Sequence, residues 1–279
     1  MIGVYDSGLG GLSVLRHLVE RLPTRDFVYL GDTGRAPYGG RDSQTLLDFA
    51  EQCVERLFEE GCGLVVVACN TVSCVALRHL QRRYAGLGSA RRVLGVAIPA
   101  AENAVAVSEG HVGILATQRT VDSGTFVVEI GKLGPQRVTQ RAAPLLAPIV
   151  EEGWETTEIA RLAVERYLVD LEGVDTILLG CTHYPFLLPA LRAATTARVI
   201  DPAPFVADRL ADWLDRHPEF DEPGQGRQLF LCSGRPDDFR TRGARFLGRP
   251  LPTVAHVAEE GGRLVHRDRV VVPRGQVLR

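Results

Sequence analysis

Two cysteines close apolar runs in the same manner. "VVVACNT", residues 65–71, stops at Cys69, and "ILLGCTH", residues 177–183, stops at Cys181; small polar residues follow each at once. A thiol at the end of a buried strand, where a helix is expected to start, is a candidate base, because a helix N-terminus lowers a thiol's pKa. An acid or imidazole beside such a thiol is the usual means of holding a proton on or off sulfur. Asp6 ends an earlier run and His183 stands two residues after Cys181, while Asp32 and Glu151 follow other strands or turns. Ser7, Asn70, Thr71 and Thr182 supply small hydrogen-bond donors that suit a carboxylate better than a polyphosphate. The glycines of "DSGLGG" (Gly8, Gly10, Gly11) let backbone approach a small anion at the start of a helix. They match neither the Walker pattern nor a spaced G-x-G-x-x-G with a distal acid, so nucleotide binding is not expected.

A buried free cysteine often does no more than fill a core. That reading is retained for Cys53, Cys62 and Cys232 and extended to Cys74, whereas Cys69 and Cys181 differ by having polar neighbours on one side only. Zinc sites need C-x₂₋₄-C spacing or several histidines. Cys69, Cys74, Cys181 and His183 approximate that poorly, and no metal is expected.

Around these residues, short β-branched runs alternate with longer amphipathic stretches, the pattern of a parallel sheet with helices on both faces. The expected strands are "IGVY", "FVYLG", "LVVVA", "VLGVA", "VGILA", "RVTQRAA", "TILLG", "RVI", "LFLC" and "RVVVP". Between them, "SQTLLDFAEQCVERLFEEG" keeps helical spacing at Leu46, Phe49, Cys53 and Leu57, with Gly61 closing the helix. An internal repeat is visible: Cys69 follows Ser7 by 62 positions and Cys181 follows Thr117 by 64, each pair after similar strands. The fold expected is α/β, with two pseudo-symmetric doubly wound parallel-sheet domains facing one cleft. Residues 1–97 plus about 205–279 would form a discontinuous first domain and residues 98–204 the second. Ligands bind beyond the carboxyl ends of strands in such sheets. "YDSGLGG", "GDTGRAPYGG", "ACNT", "ATQRT" and "GCTHYP" would then share one rim, with a thiol on either side of the ligand.

Composition bounds the function class. The chain has 279 residues, 45% hydrophobic and 24% charged, with a formal net charge of -2. Its charges are scattered in mixed clusters, so neither nucleic acid nor membrane is an expected partner. "MIGVYDSG" carries no cationic leader, and no run of eighteen apolar residues occurs, which leads to the expectation of a cytoplasmic protein with free thiols. Lys132, in a "GKLG" turn, is the sole lysine, so none is placed for a Schiff base.

With "YDSGLGGLSVL", "GDTGRAPYG", "ACNT" and "GCTHYP" in that order, the chain resembles the cofactor-independent glutamate racemases, over residues 2 to about 205. In the wider superfamily, aspartate racemases resemble "PCNT" and "GCTE"; here Ala68 precedes Cys69 and His183 follows Thr182, which favours glutamate. The resemblance implies an isomerase that interconverts L- and D-glutamate without a cofactor and supplies D-glutamate for peptidoglycan, in cell-wall biogenesis. It implies Cys69 and Cys181 as the two bases, with Cys69 acting on D-glutamate and Cys181 on L-glutamate. Asp6, Glu151 and His183 would assist proton transfer. Asp6, Ser7, Tyr38, Gly39, Asn70, Thr71, Thr117, Thr182 and His183 would bind substrate, and a homodimer is implied. Ile98 and Ala143 depart from the family's pattern. The alternatives are a related racemase or isomerase for another acidic substrate such as aspartate, or a non-enzymatic amino-acid-binding protein.

Overall fold

The computed structural model describes residues 1–85 and 91–267. Its strands are β1 (Ile2–Asp6), β2 (Phe27–Gly31), β3 (Leu64–Val67), β4 (Arg92–Gly95), β5 (His111–Ala116), β6 (Arg137–Ala142), β7 (Thr176–Gly180), β8 (Arg198–Ile200), β9 (Gln228–Cys232), β10 (Val254–Glu260) and β11 (Arg263–His266). The helices are α1 (Gly11–Arg21), α2 (Ser43–Glu59), α3 (Asn70–Val75), α4 (Leu77–Ala85), α5 (Ala97–Val107), α6 (Gln118–Asp122), α7 (Thr125–Leu133), α8 (Leu146–Glu151), α9 (Glu158–Leu168), α10 (Leu188–Ala194), α11 (Ala203–Asp215) and α12 (Pro236–Leu247).

Two sheets result. The first has the order β11-β10-β9-β2-β1-β3-β4 and the second β6-β5-β7-β8. The run β2-β1-β3-β4 and the whole second sheet share one topology, which is the repeat seen in the sequence. Ile2 lies opposite both Phe27 and Leu64, and Val112 opposite Thr176, so β1 and β5 are the corresponding central strands. Strands β1, β2, β3 and β7 are buried along their full length, as strands covered on both faces must be. Burying each Val, Leu or Phe of such a run contributes roughly 1.5–3 kcal/mol.

The expected helix over 43–61 forms. Asp42 caps it by accepting from Thr45 N at 3.0 Å, Leu46, Cys53 and Leu57 are buried, and Gly61 ends it at a φ of +89°. Two expectations change. "VLGVA" yields only Arg92–Gly95 as strand, because Ala97 already opens α5. The first sheet is not wholly parallel: β10 and β11 form an antiparallel hairpin at its edge, through Glu259 opposite Leu264. The charged exposed face of this hairpin (Glu259, Glu260, Arg263) breaks the apolar run that marks a strand, although its two-residue Gly-Gly turn is itself a hairpin signal. The expected strand "RVVVP" lies outside the described residues. Among the described residues, no helix is long and apolar enough to cross a membrane.

The two sheets are held together near their strand ends. Helix α11 packs against both α1 and α5. Ser13 Oγ, on α1, donates to Gly10 O at 2.8 Å and Thr182 O at 3.2 Å, tying the turn after β1 to the turn after β7.

Candidate active site

Cys69 and Cys181 follow corresponding strands and are 5% and 7% exposed. Cys69 is the N-cap of α3, as expected. Cys181 departs from expectation, since an irregular turn and a 3-10 segment, Tyr184–Leu187, follow it in place of an α-helix. Proline at 185 has no N–H to donate, which accounts for the change. The thiols therefore have different neighbours. Cys69 Sγ donates to Ser7 Oγ at 3.5 Å. Burial, reinforced by the charge of Asp6, pushes the Cys69 thiol up to about 12, so the lowering expected from the helix N-terminus is overridden.

Cys181 Sγ lies 3.7 Å from His183 Nδ1, and His183 Nε2 lies 3.0 Å from Glu151 Oε1. Burial opposes charge on this imidazole, yet its contacts with Cys181 and Glu151 prevail and push His183 up to about 10. Glu151 ends the short helix α8, and the hydrogen bond from His183 holds its carboxyl below the usual carboxylate range. Asp6 is fully buried; Oδ2 accepts from Gly8 N at 2.9 Å, and burial raises its pKa while the charge of His183 lowers it. Asp6, Glu151 and His183 thus meet electrostatically around the thiols, although they come from three elements.

The small donors assemble across the two sheets. Thr71 Oγ1 and Thr117 Oγ1 are 2.9 Å apart, and Thr120 Oγ1 lies 2.9 Å from Thr117 and 3.4 Å from Thr71. Thr120, buried in α6, was not among the expected site residues. Its only sequence signal is the i+3 spacing from Thr117, itself the N-cap of α6. Asn70, Cys181 and Thr182 line one small cavity with Ser13, Pro185 and Asp201. Among the described residues, Asp6 Oδ1 and Asn70 Oδ1 are buried acceptors with no hydrogen-bond partner in the protein.

The glycine turn also has a packing role. A Cβ on Gly10 would lie 2.2 Å from Thr182 Oγ1 and 2.7 Å from the His183 ring, and one on Gly11 would lie 2.5 Å from Asp6 Cβ. These glycines let the two thiol-bearing rims close on each other. Tyr38 does not offer a free hydroxyl: it donates to Asp32 and accepts from Tyr5 OH at 3.0 Å. Asp32 also binds Arg35 and Ser233, so this buried cluster anchors the "GDTGRAPYGG" loop. The loop reaches the second sheet through Gly39, whose Cα side faces Thr117 and whose carbonyl accepts from Arg119 N at 3.1 Å. Ile98 lines an apolar cavity of about 180 Å³ with Leu94, Trp213 and Arg209; neither thiol borders it. Ala143 is buried and its carbonyl accepts from Tyr184 OH at 2.7 Å.

Two halves of equal topology, with a thiol at the end of the third strand of each, define a pseudo-symmetric α/β fold with its two thiols at corresponding places. Residues 9–210 match the profile of a family described as Asp/Glu/Hydantoin racemase, and the chain belongs to that family. It is 38% identical over 263 residues to a glutamate racemase of Neisseria meningitidis strain MC58, covering 92% of this chain and 96% of that one. Among solved structures it is similar to glutamate racemase from Thermus thermophilus in complex with β-chloro-D-alanine, with 36% identity, a TM-score of 0.80, and coverage of 92% of this chain and 96% of that one. It is also similar to glutamate racemase from Francisella tularensis in complex with D-glutamate, at 28% identity and a TM-score of 0.85, covering 92% and 97% of the two chains.

Proposed function

We propose that the protein interconverts L- and D-glutamate by a two-base proton transfer and so supplies D-glutamate for peptidoglycan. The observation that carries this is the pair of buried thiols on opposing rims, joined to a set of donors and acceptors that matches an amino acid. Hydroxyls of Ser7, Thr71, Thr117, Thr120 and Thr182 suit carboxylates, and the unpartnered oxygens of Asp6 and Asn70 suit an ammonium. The glutamate racemases above, one of them solved with D-glutamate, support glutamate as the substrate.

In the D-to-L direction the Cys69 thiolate takes the α-proton, the electron pair remains on the α-carbon and its carboxylate, and the Cys181 thiol delivers a proton to the opposite face. Asp6 lies near enough to act on Cys69, and His183 with Glu151 exchanges a proton with Cys181. The high cost of a Cys69 thiolate, set by burial, makes a strong base once it forms. Water excluded from the sulfur preserves that basicity, and fixed donors balance the carboxylate charge that grows in the transition state. The L-to-D direction reverses the roles.

The lobes of this reading are residues 1–97 with about 205–279, and 98–204, supported by the two sheets. A cytoplasmic location is supported by six free cysteines, which suit a reducing compartment. A homodimer, implied by the family resemblance, is tested by sedimentation; a sole monomeric species at assay concentration removes it. The functional test is polarimetry of each glutamate enantiomer with purified, dialysed protein and no added cofactor. Racemisation that survives hydroxylamine and chelation is expected. Turnover of aspartate but not glutamate would instead support the related-racemase reading, and binding without turnover the non-enzymatic one.

A further inference from the structure

The C-terminal return of the chain places one helix, α12, against both members of the His183–Glu151 pair. Arg245 Nη1 donates to both carboxylate oxygens of Glu155 at 3.0 Å, and its Nη2 donates to Val150 O. Gly153 leaves room for it: a Cβ there would lie 2.9 Å from Arg245 Nη1, and its φ of +77° favours glycine. Arg242 Nη2 donates to Glu151 O at 3.1 Å and lies 3.6 Å from Glu151 Oε2. Phe246, fully buried, meets the His183 ring edge-on with centroids 5.5 Å apart, and the Arg245 guanidinium lies 5.2 Å over the Phe246 ring.

Val150 and Glu151 are the last residues of α8, and the carbonyls of a helix's last turn have no partner within the helix. Val150 O accepts from Gly153 N at 3.0 Å and also from Arg245, and Glu151 O accepts from Arg242, so two arginines from the first sheet's side of the molecule add their donors to this last turn. The helix is six residues long, too short to hold itself. The placement of Glu151 therefore follows its partners rather than its own helix.

We propose that Arg242 and Arg245 are positioning residues for the His183–Glu151 pair: by capping α8 from α12, they hold the Glu151 carboxylate on His183 Nε2. Proton storage beside Cys181 then depends on docking of the first sheet's helices against the second half-unit. This rests on the reading of Cys181 and His183 as proton-transfer groups. The charged and titratable groups facing the pair are Asp6 from β1, Cys181 after β7, Glu155 after α8, and Arg242 and Arg245 on α12. As bare charges, the arginines disfavour an imidazolium at His183. As positioning groups, they favour one through Glu151. The two roles have opposite signs and one experiment separates them.

Lysine keeps a positive charge but cannot fork between Val150 O and Glu155. In full-length protein with ¹³C-labelled histidine, the His183 ring is titrated by NMR, its signal identified by loss in His183→Gln, and glutamate racemisation is measured on the same samples. The wild-type midpoint is expected near 10. Arg245→Lys, alone and combined with Arg242→Gln, is expected to lower that midpoint by about one pH unit, roughly a tenfold weaker hold on the proton, and to draw down the alkaline limb of kcat/KM equally. A midpoint unchanged or raised in a variant whose thermal melt shows it folded overturns the proposal. Arg245→Lys alone decides if the double variant does not fold. Absence of racemisation by the wild type would remove the functional reading, while the NMR midpoints would still decide the role of the arginines.

Discussion

Strand β3 delivers Cys69 to the N-cap of an α-helix, against a buried carboxylate and a serine hydroxyl; β7 delivers Cys181 to an irregular turn, beside an imidazole that a second carboxylate holds charged. The strand order and the place of the thiol are common to both halves, so the difference is local. One side stores its proton on sulfur, with the Cys69 thiol pushed up to about 12; the other keeps a proton on nitrogen, with His183 pushed up to about 10. A pseudo-symmetric fold thus supplies opposed faces without supplying equal acids. Equality is imposed elsewhere, because enantiomers have equal free energy and kcat/KM must match in the two directions however unlike the two bases are.

That constraint shapes the largest expected effect. Cys69→Ala and Cys181→Ala should each lower kcat/KM by about a thousandfold or more, equally in both directions, since each direction needs one group to abstract and one to donate. A serine at either place can donate a proton but abstracts one poorly. Cys69→Ser should therefore raise the primary isotope effect for α-deuterated D-glutamate more than for the L enantiomer, and Cys181→Ser the reverse. Equal isotope effects in both variants would show that the thiols are not assigned to opposite faces.

The closeness of the two rims gives the next effect. Gly10→Ala places a methyl 2.2 Å from Thr182 Oγ1, whereas Gly8→Ala meets only Thr33 Cγ2 at 3.7 Å. Overpacking of this kind costs about 1–3 kcal/mol. Gly10→Ala should lower the melting temperature clearly and racemisation at least tenfold, with Gly8→Ala near wild type in both. Similar behaviour of the two variants would mean that the rims separate at little cost.

A smaller change isolates the His183 side. Glu151→Gln removes the carboxylate that supports the imidazolium, so the alkaline limb of kcat/KM should start about one pH unit lower, measured against glutamate across pH 7 to 10. His183 has a raised folded-state pKa, so its contribution to stability is complete below its unfolded value near 6.5 and is lost as pH rises through about 10. The melting-temperature gap between wild type and Glu151→Gln should accordingly be widest just below pH 6.5 and close toward pH 10. Glu151 is about a third exposed, and a shift of about one pH unit bounds the gap at about 1.4 kcal/mol before solvent screening. A gap that widens with pH would reverse the assigned sign.

Much of this arrangement was legible in the sequence, for identifiable reasons. Buried parallel strands announce themselves as continuous apolar runs, and the residues just past them fall on one rim whatever the loops do, which is why Cys69, Cys181, Ser7 and Thr117 could be paired by position alone. What the pattern could not carry was local competition. Cys69 at a helix N-terminus reads as a lowered thiol, but burial and Asp6 outweigh the helix. Nothing in the pattern ties the Tyr38 hydroxyl to Tyr5 and Asp32, which hold it in the assembled fold. The glycines of the first turn read as room for an anion, and the pattern does not show that they also admit Thr182 and His183. Each of these rests on a contact or a burial that only the assembled fold sets, whereas the edge hairpin was hidden by its charged face.

Thr120 is the residue that tests whether the donor set belongs to both halves or to one. Thr71 comes from the first half-unit and Thr117 from the second, and Thr120 touches both hydroxyls from α6, at 3.4 and 2.9 Å. Its N–H also donates to Thr117 Oγ1 at 3.3 Å, so Thr117 is held both as a helix cap and as a partner of Thr71. Thr120→Val keeps the shape but removes one buried hydroxyl and leaves Thr71 and Thr117 with one partner fewer, a loss on the order of 1 kcal/mol. If the three hydroxyls bind substrate as one group, KM for glutamate should rise about fivefold with kcat little changed, because the missing contact is made equally in the ground and transition states. Thr71→Val combined with Thr120→Val should then cost less than the two losses added, the mark of residues in one network. Strict additivity, or a fall in kcat at constant KM, would place Thr120 outside substrate binding and make it a packing residue of α6 alone.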